Sequence, residues 1–377
     1  MFSFNIGLKE PGKLKKTDWA LIGISWFIVQ LILLQIQGIN DQGESLKYIQ
    51  IAENWVNGNR DINLYSIFYF GYSSIHILFK YAGLSPKTVY AVQLVLSGLA
   101  TMYFTRILSC FSHSRLAILF SALLYATCYS IQSWVSFLYT DSIFSNLLII
   151  ATYFLITEEK SSRNKWVCWI LLVILPFFRP VGLLFIPVVC FYWIMLAPGK
   201  YKTRLFFCIA YLSLLSLLVY LSFTRSAYYY PLHNIEANVI CGYPGDLLKY
   251  QAVPYSQGMS AFSYMYHNPG MFIRLFLSRL YKVFSMGRPY FSAGHNLLLF
   301  VSSFVYYALA LVGLVTIFKQ HSKKLYFIIA GILFFSLPMI LFCVEWAGRF
   351  SLPVISYTLL LSSIGIEHVL YRLKSKN

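Results

Sequence analysis

The chain has 377 residues, of which 58% are hydrophobic, 19% aromatic and only 11% charged, and its formal charge is +17. So apolar a composition excludes an ordinary soluble domain, and it turns the basic balance from a nucleic-acid signal into a question of membrane topology. Mostly apolar runs recur along nearly the whole length, where a crossing helix needs about 20 residues. The sequence therefore predicts one integral membrane domain over residues 1–377, all-α and polytopic.

Apolar spans are predicted near residues 19–37, 87–107, 116–131, 140–157, 166–178, 181–197, 205–223, 296–318, 325–342 and 350–370. The first is too long, and too lacking in a small-residue cleavage site, for a removable signal peptide. Ten spans put both termini on one side. That side holds Lys9, Lys13, Lys15, Lys16, Arg106, Arg115, Lys160, Arg163, Lys165, Lys200, Lys202, Arg204, Lys319, Lys323, Lys324, Arg372, Lys374 and Lys376, which is 18 of the 30 Lys and Arg. By the positive-inside bias it is the cytoplasm, so the protein is expected in a cell (plasma or inner) membrane with its working surface outward.

Two external segments are long on this topology, 38–86 and 224–295. The first opens GINDQGESLKYIQIAENWVNGNR, in which Tyr48, Ala52, Trp55 and Val56 recur at helical spacing and predict an interfacial amphipathic helix over 44–56. The apolar stretch 65–83 is expected as a second helix on the outer leaflet, because a full crossing there would invert the charge bias of every later loop. The second external segment begins with Pro, Gly and Asn punctuation that suggests turns. It then becomes a basic amphipathic stretch in which Arg274, Arg279, Lys282 and Arg288 stand among Phe, Leu and Tyr. Two readings remain open for these cations: snorkelling to lipid phosphates, or a pocket for the phosphate of a lipid-linked substrate.

Motifs for phosphate loops, dinucleotide folds, zinc sites and serine elbows do not stand out. The seven cysteines lack metal-ligand spacing and read mostly as small apolar packing residues, with Cys241 and Cys343 the pair on the outer side. Carboxylates are the remaining lead, and few of them sit at the outer boundary. Asp41 and Glu44 have the spacing of a capping box ahead of the 44–56 helix, yet either is also a candidate base at the wet end of a span, with Tyr48 on the same face. Asp141 reads as a first-turn acid or a supporting site residue. Arg179, between Pro176 and Pro180, is a deep cation that needs a partner, with Asp141 and Glu345 as candidates. Glu345 and Arg349 are four apart at the mouth of the last span, a spacing that also permits a helical ion pair.

Together these segments resemble the GT-C superfamily of membrane glycosyltransferases, in particular bacterial relatives of the dolichyl-phosphate-mannose protein mannosyltransferases and of the aminoarabinose transferase. Glu44, Tyr48, Ala52 and Gly58 fit the register of that family's first external loop. LYTDSIFSNLL, LPFFRPVGLLFIP and GRFSLPVISYTLLL look like its later elements, in the same order. One departure matters: the family's catalytic aspartate falls on Glu44, while Asp41 lies three residues earlier, and both remain candidates.

The resemblance implies an inverting transfer of a sugar from a polyprenyl phosphate to a glycan, lipid or protein hydroxyl, with Glu44 or Asp41 as base. It implies a donor phosphate held by cations from Arg274, Arg279, Lys282, Arg288 and Arg349, with Arg179 and Lys87 behind them, and supporting roles for Tyr48, Asp141 and Glu345. A divalent metal is allowed but not indicated, membrane lipids are the surroundings, and nucleic acid is not an expected partner. The alternatives are a glycan polymerase or ligase using lipid-linked oligosaccharides, and a lipid or polysaccharide transporter.

Overall fold

The computed structural model describes residues 12–59, 67–196, 235, 237–241, 246–249, 261–288, 290–320, 325–341 and 346–375. In chain order the helices are α1 (Lys16–Gln37), α2 (Ser45–Val56), α3 (Phe70–Tyr81), α4 (Val89–Phe111), α5 (Arg115–Ala126), α6 (Thr140–Ile156), α7 (Ser162–Phe178) and α8 (Phe185–Leu196). A two-stranded antiparallel hairpin of β1 (Val239–Cys241) and β2 (Asp246–Leu247) follows. The chain then forms α9 (Ala261–His267), α10 (Pro269–Phe284), α11 (Ala293–Gln320), α12 (Tyr326–Leu341) and α13 (Leu352–Lys374).

Among the described residues, four helical stretches are long and apolar enough to cross a membrane: Lys16–Gln37, Pro86–Phe111, Ala293–Gln320 and Gly348–Lys374. A fifth exists if Arg115–Ala126 and Tyr129–Ser136, bent by 46° at Thr127–Cys128, act as one span. The fold is that of a helical membrane protein. The apolar run near 116–131 is broken by this bend, and the run near 205–223 lies outside the described residues, as does Cys343.

The bundle is built around α13, which is buried continuously from Leu352 to Gly365. Small residues allow this. A Cβ on Gly313 would lie 2.1 Å from the Leu361 carbonyl oxygen and one on Gly365 would lie 2.0 Å from that of Leu309, so α11 and α13 cross with their backbones in contact. Ser362 Oγ donates to the Tyr306 carbonyl at 2.6 Å across the same crossing. At the periphery, α1 turns Leu21, Ile24, Phe27, Ile28, Leu31 and Ile32 outward, a surface suited to lipid.

Helices α2 and α3 are each 12 residues, about 18 Å long, and so are too short to span a hydrocarbon core of about 30 Å. They pack on one another at one end of the bundle. Tyr48 and Ala52, one turn apart on α2, are buried, and the Tyr48 ring meets Tyr72 edge-on at 4.9 Å and Tyr69 at 5.7 Å. Outside this seam, Lys80 of α3 pairs with Glu53 of α2 at 3.2 Å.

Candidate functional site

The loop after α1 is fixed before its side chains matter. Gly38 stops the helix in the left-handed region at φ +63°. Asn40 then pairs with the segment ahead of α6: its N–H donates to the Ser136 carbonyl at 2.8 Å, and its carbonyl accepts from Leu138 N–H at 2.9 Å. Gly43, at φ +67°, lies where a Cβ would be 2.6 Å from Tyr139 Oη, and that hydroxyl donates to the Gln42 carbonyl at 3.2 Å. Two constraints thus require glycine there, the backbone angle and the tyrosine.

Glu44 is the residue from which α2 starts, but neither it nor Asp41 makes a capping bond, so the capping box does not form. The Glu44 carboxylate turns into the bundle instead. Oε1 accepts from Tyr48 Oη at 3.2 Å, and Oε2 pairs with Nη1 of Arg349, which the turn Trp346–Ser351 delivers at the head of α13. Burial draws the Glu44 carboxyl upward. The Arg349 guanidinium overcomes that effect, with Arg179 and Lys47 adding to it, and holds the group below the ordinary glutamate value.

Asp141 lies in the first turn of α6, 1% exposed, and forms an ion pair with Nη1 of Arg179. Arg179 is placed by the break after α7. The chain passes through it in extended conformation, and Gly182 returns so close to α7 that a Cβ there would sit 2.6 Å from the Leu175 carbonyl oxygen. Nε of Arg349 stands 3.9 Å from Asp141 Oδ2, which links the two ion pairs. Phe350 serves both cations: its ring centre is 4.3 Å from the Arg179 guanidinium carbon and 4.9 Å from that of Arg349. Tyr139 stacks under Arg349 at 5.3 Å.

The expected residues therefore divide. Glu44, Tyr48, Asp141, Arg179 and Arg349 come together. Asp41 and Lys87 form their own pair at 3.6 Å, in a more open position outside this cluster. Arg274 is on the exposed side of α10. Arg279 is fully buried and donates to the carbonyls of Val239, Ile340 and Leu341, joining β1, α10 and the end of α12. Those carbonyls engage Nε, Nη1 and Nη2, so that in this arrangement Arg279 ties the three elements together. Glu345 lies outside the described residues.

Arg288 differs from Arg279. It is 2% exposed, and Nη1 donates to the carbonyls of Ser285 and Gly287, but among the described residues Nε and Nη2 have no hydrogen-bond partner. Nη2 lies 3.9 Å from where a Cβ on Gly348 would be, one residue from Arg349. Arg288 and Lys282 also line a groove of about 1060 Å³ between α10 and α11, whose walls include Leu277, Phe284, Phe300, Phe304 and Tyr307. The groove combines an apolar wall with cations, which suits an amphiphilic anion.

Several supporting residues carried no clear signal in the sequence. Tyr139 and Phe350 sit beside the charged positions of two quoted segments, and their aromatic character alone did not mark them. Gln93 accepts from Tyr72 Oη at 2.9 Å and donates to the carbonyls of Val135 and Phe137 at 2.7 Å, tying α3, α4 and the pre-α6 segment together. Its one visible cue is an amide inside an apolar span.

Among the described residues no three His, Cys, Asp or Glu converge as a metal site. Comparison of the chain with family models, with curated proteins and with solved structures finds no match.

Proposed function

We propose that the protein is a GT-C-like membrane glycosyltransferase that moves a sugar from a polyprenyl phosphate to an acceptor hydroxyl. The observation that carries this reading is the assembly of Glu44 with Arg349, Asp141 and Arg179 at one end of the bundle, beside a groove that fits a lipid bearing a phosphate. In this reading the chain crosses the membrane ten times, both termini are cytoplasmic and the cluster faces outward. Nucleotide sugars are cytoplasmic, so an outward site needs a donor already carried on a lipid.

Glu44 is the base. It takes the proton of the acceptor hydroxyl as that oxygen attacks the anomeric carbon. The bond from the anomeric carbon to the phosphate oxygen breaks, its electron pair leaves with the polyprenyl phosphate, and the anomeric configuration inverts. Charge grows on the departing phosphate, where Arg349 and Arg288, both mostly shielded from water, stabilise it more than solvent would. The Asp141–Arg179 pair anchors the Phe350 ring on which the Arg349 guanidinium also rests.

The test is sugar transfer from a polyprenyl-phosphate donor in membranes containing Glu44→Gln or Asp41→Asn. Glu44→Gln should lower the rate by about 10²- to 10⁴-fold, the usual contribution of a general base. Asp41→Asn should retain most of it. Full activity in both variants would remove the base and with it this mechanism.

A further inference from the structure

We propose that Arg349 is a shared cation, bound to Glu44 while the site is empty and drawn to the donor phosphate when that arrives, so that the base is released only with donor in place. This inference rests on the glycosyl-transfer reading and adds to it an order of events and a positioning residue.

Charge counting supports it. Among the described residues the cluster holds two acids, Glu44 and Asp141, against two cations, Arg179 and Arg349, and so is neutral before Arg288 is counted. Arg288 then stands as a surplus buried charge with two unsatisfied nitrogens. A single negative charge, such as the phosphodiester of a glycosyl polyprenyl phosphate, balances the set. The three arginines differ in freedom. Arg179 is fixed between Asp141 and Phe350, 6% exposed. Arg288 is held on one edge by the carbonyls of Ser285 and Gly287. Arg349 lies one residue past Gly348, which itself packs beside Arg288, and its partner Glu44 has the most exposed side chain of the two linked ion pairs, at 19%. An anion on Arg288 and the Glu44 carboxylate therefore compete for the same guanidinium.

The groups that act on Glu44 are Lys47 and Tyr48 of α2, Arg179 after α7, and Arg349, with Tyr69 and Tyr72 of α3 packed on Tyr48, and Tyr139 and Asp141 beside Arg349. Once Arg349 turns to phosphate, the Tyr48 hydroxyl still donates to the carboxylate, and burial is less opposed. The carboxylate then binds a proton more readily, which is what a base must do as the acceptor hydroxyl gives one up.

The readout is proton uptake when a short-chain polyprenyl monophosphate binds the full-length protein in nanodiscs. It is measured by titration calorimetry in buffers of different ionisation enthalpy across about pH 4 to 7. The monophosphate titrates in this range too, near pH 6, and its shift on binding follows the charges around it, so the same titrations are run with a short-chain polyprenyl methyl phosphodiester, which has no group titrating there and whose proton uptake reports the protein alone. Wild type should take up more protons per lipid than Glu44→Gln and Glu44→Ala, with the excess on the acidic side. Arg349→Ala should bind more weakly and lose the excess. Equal uptake in wild type and both Glu44 variants, with lipid bound, would overturn the sharing and leave the transfer reading standing. Absence of lipid binding to wild type would overturn both.

Discussion

The two ends of the helix bundle both bury carboxylates, and they treat them differently. At the end where α1 begins, three such acids each have a fixed local partner. Asp18 accepts from Arg115 Nε and Nη2 at 2.7 and 2.6 Å and from Lys15 N–H at 2.7 Å. Glu158 accepts from Trp193 Nε1 at 2.6 Å, and Glu367 from His113 N–H at 2.7 Å. At the opposite end, Glu44 and Asp141 share two arginines, and a third guanidinium nearby is left partly unsatisfied. Burying a charge is expensive in either place. Complete local pairing makes a scaffold, whereas charges that share partners and leave donors open can respond to a ligand.

The largest break in this comparison comes from Asp141→Asn set against Asp18→Asn. Removing the Asp141 charge leaves Arg179 buried beside Phe350 without its counterion, and uncompensated buried charges cost about 3–5 kcal/mol. A large fall in Tm in detergent is expected, together with loss of transfer. Asp18→Asn leaves Arg115, whose side chain is 40% exposed, free to reach water, so a much smaller fall is expected and transfer per folded molecule should be kept. Equal losses in the two variants would erase the distinction between the ends.

A second contrast separates two arginines from neighbouring stretches of sequence. Arg279→Met strips three carbonyls of their donor and should lower stability while transfer per folded molecule holds. Arg288→Met should do the reverse. One charge-assisted hydrogen bond is worth about 1.5–3 kcal/mol, so KM for the donor should rise by about 10- to 100-fold with a smaller change in Tm. Donor titrations beside thermal melts decide it.

That contrast also shows where sequence reading stops. The membrane class was legible because spans are long and apolar, and α2 was legible because Tyr48 and Ala52 repeat at the helical period. Arg179 was legible as a position needing a partner because a charge at that depth is costly. Nothing local distinguished Arg279 from Arg288: both are basic residues in an aromatic-rich stretch, and only folding brings the carbonyls of Ile340 and Leu341 to one of them. The choice between Asp41 and Glu44 was equally invisible, since it depends on a contact with Arg349 made across 305 positions of the chain. Helix periodicity had already put Glu44 and Tyr48 on one face, but it is silent about which acid meets a cation.

The smallest expected effect tests the Glu44–Arg349 pair through pH. The Glu44 carboxyl is held below its unfolded value, so its contribution to stability is present above the ordinary glutamate range and is lost as pH falls through the lowered value. Melting of wild type and Glu44→Gln should therefore differ most near neutrality, with wild type higher by about 1–3 °C, and converge in acid. Arg349→Met changes the sign. Without the guanidinium, burial is the leading influence on the carboxyl and raises it, so the same group then destabilises the folded state at neutral pH and ceases to do so as pH falls through the ordinary range. In the Arg349→Met background, adding Glu44→Gln should thus raise the melting temperature near neutrality rather than lower it. If Glu44→Gln lowers it equally in both backgrounds, Arg349 is not what holds Glu44 in its charged form.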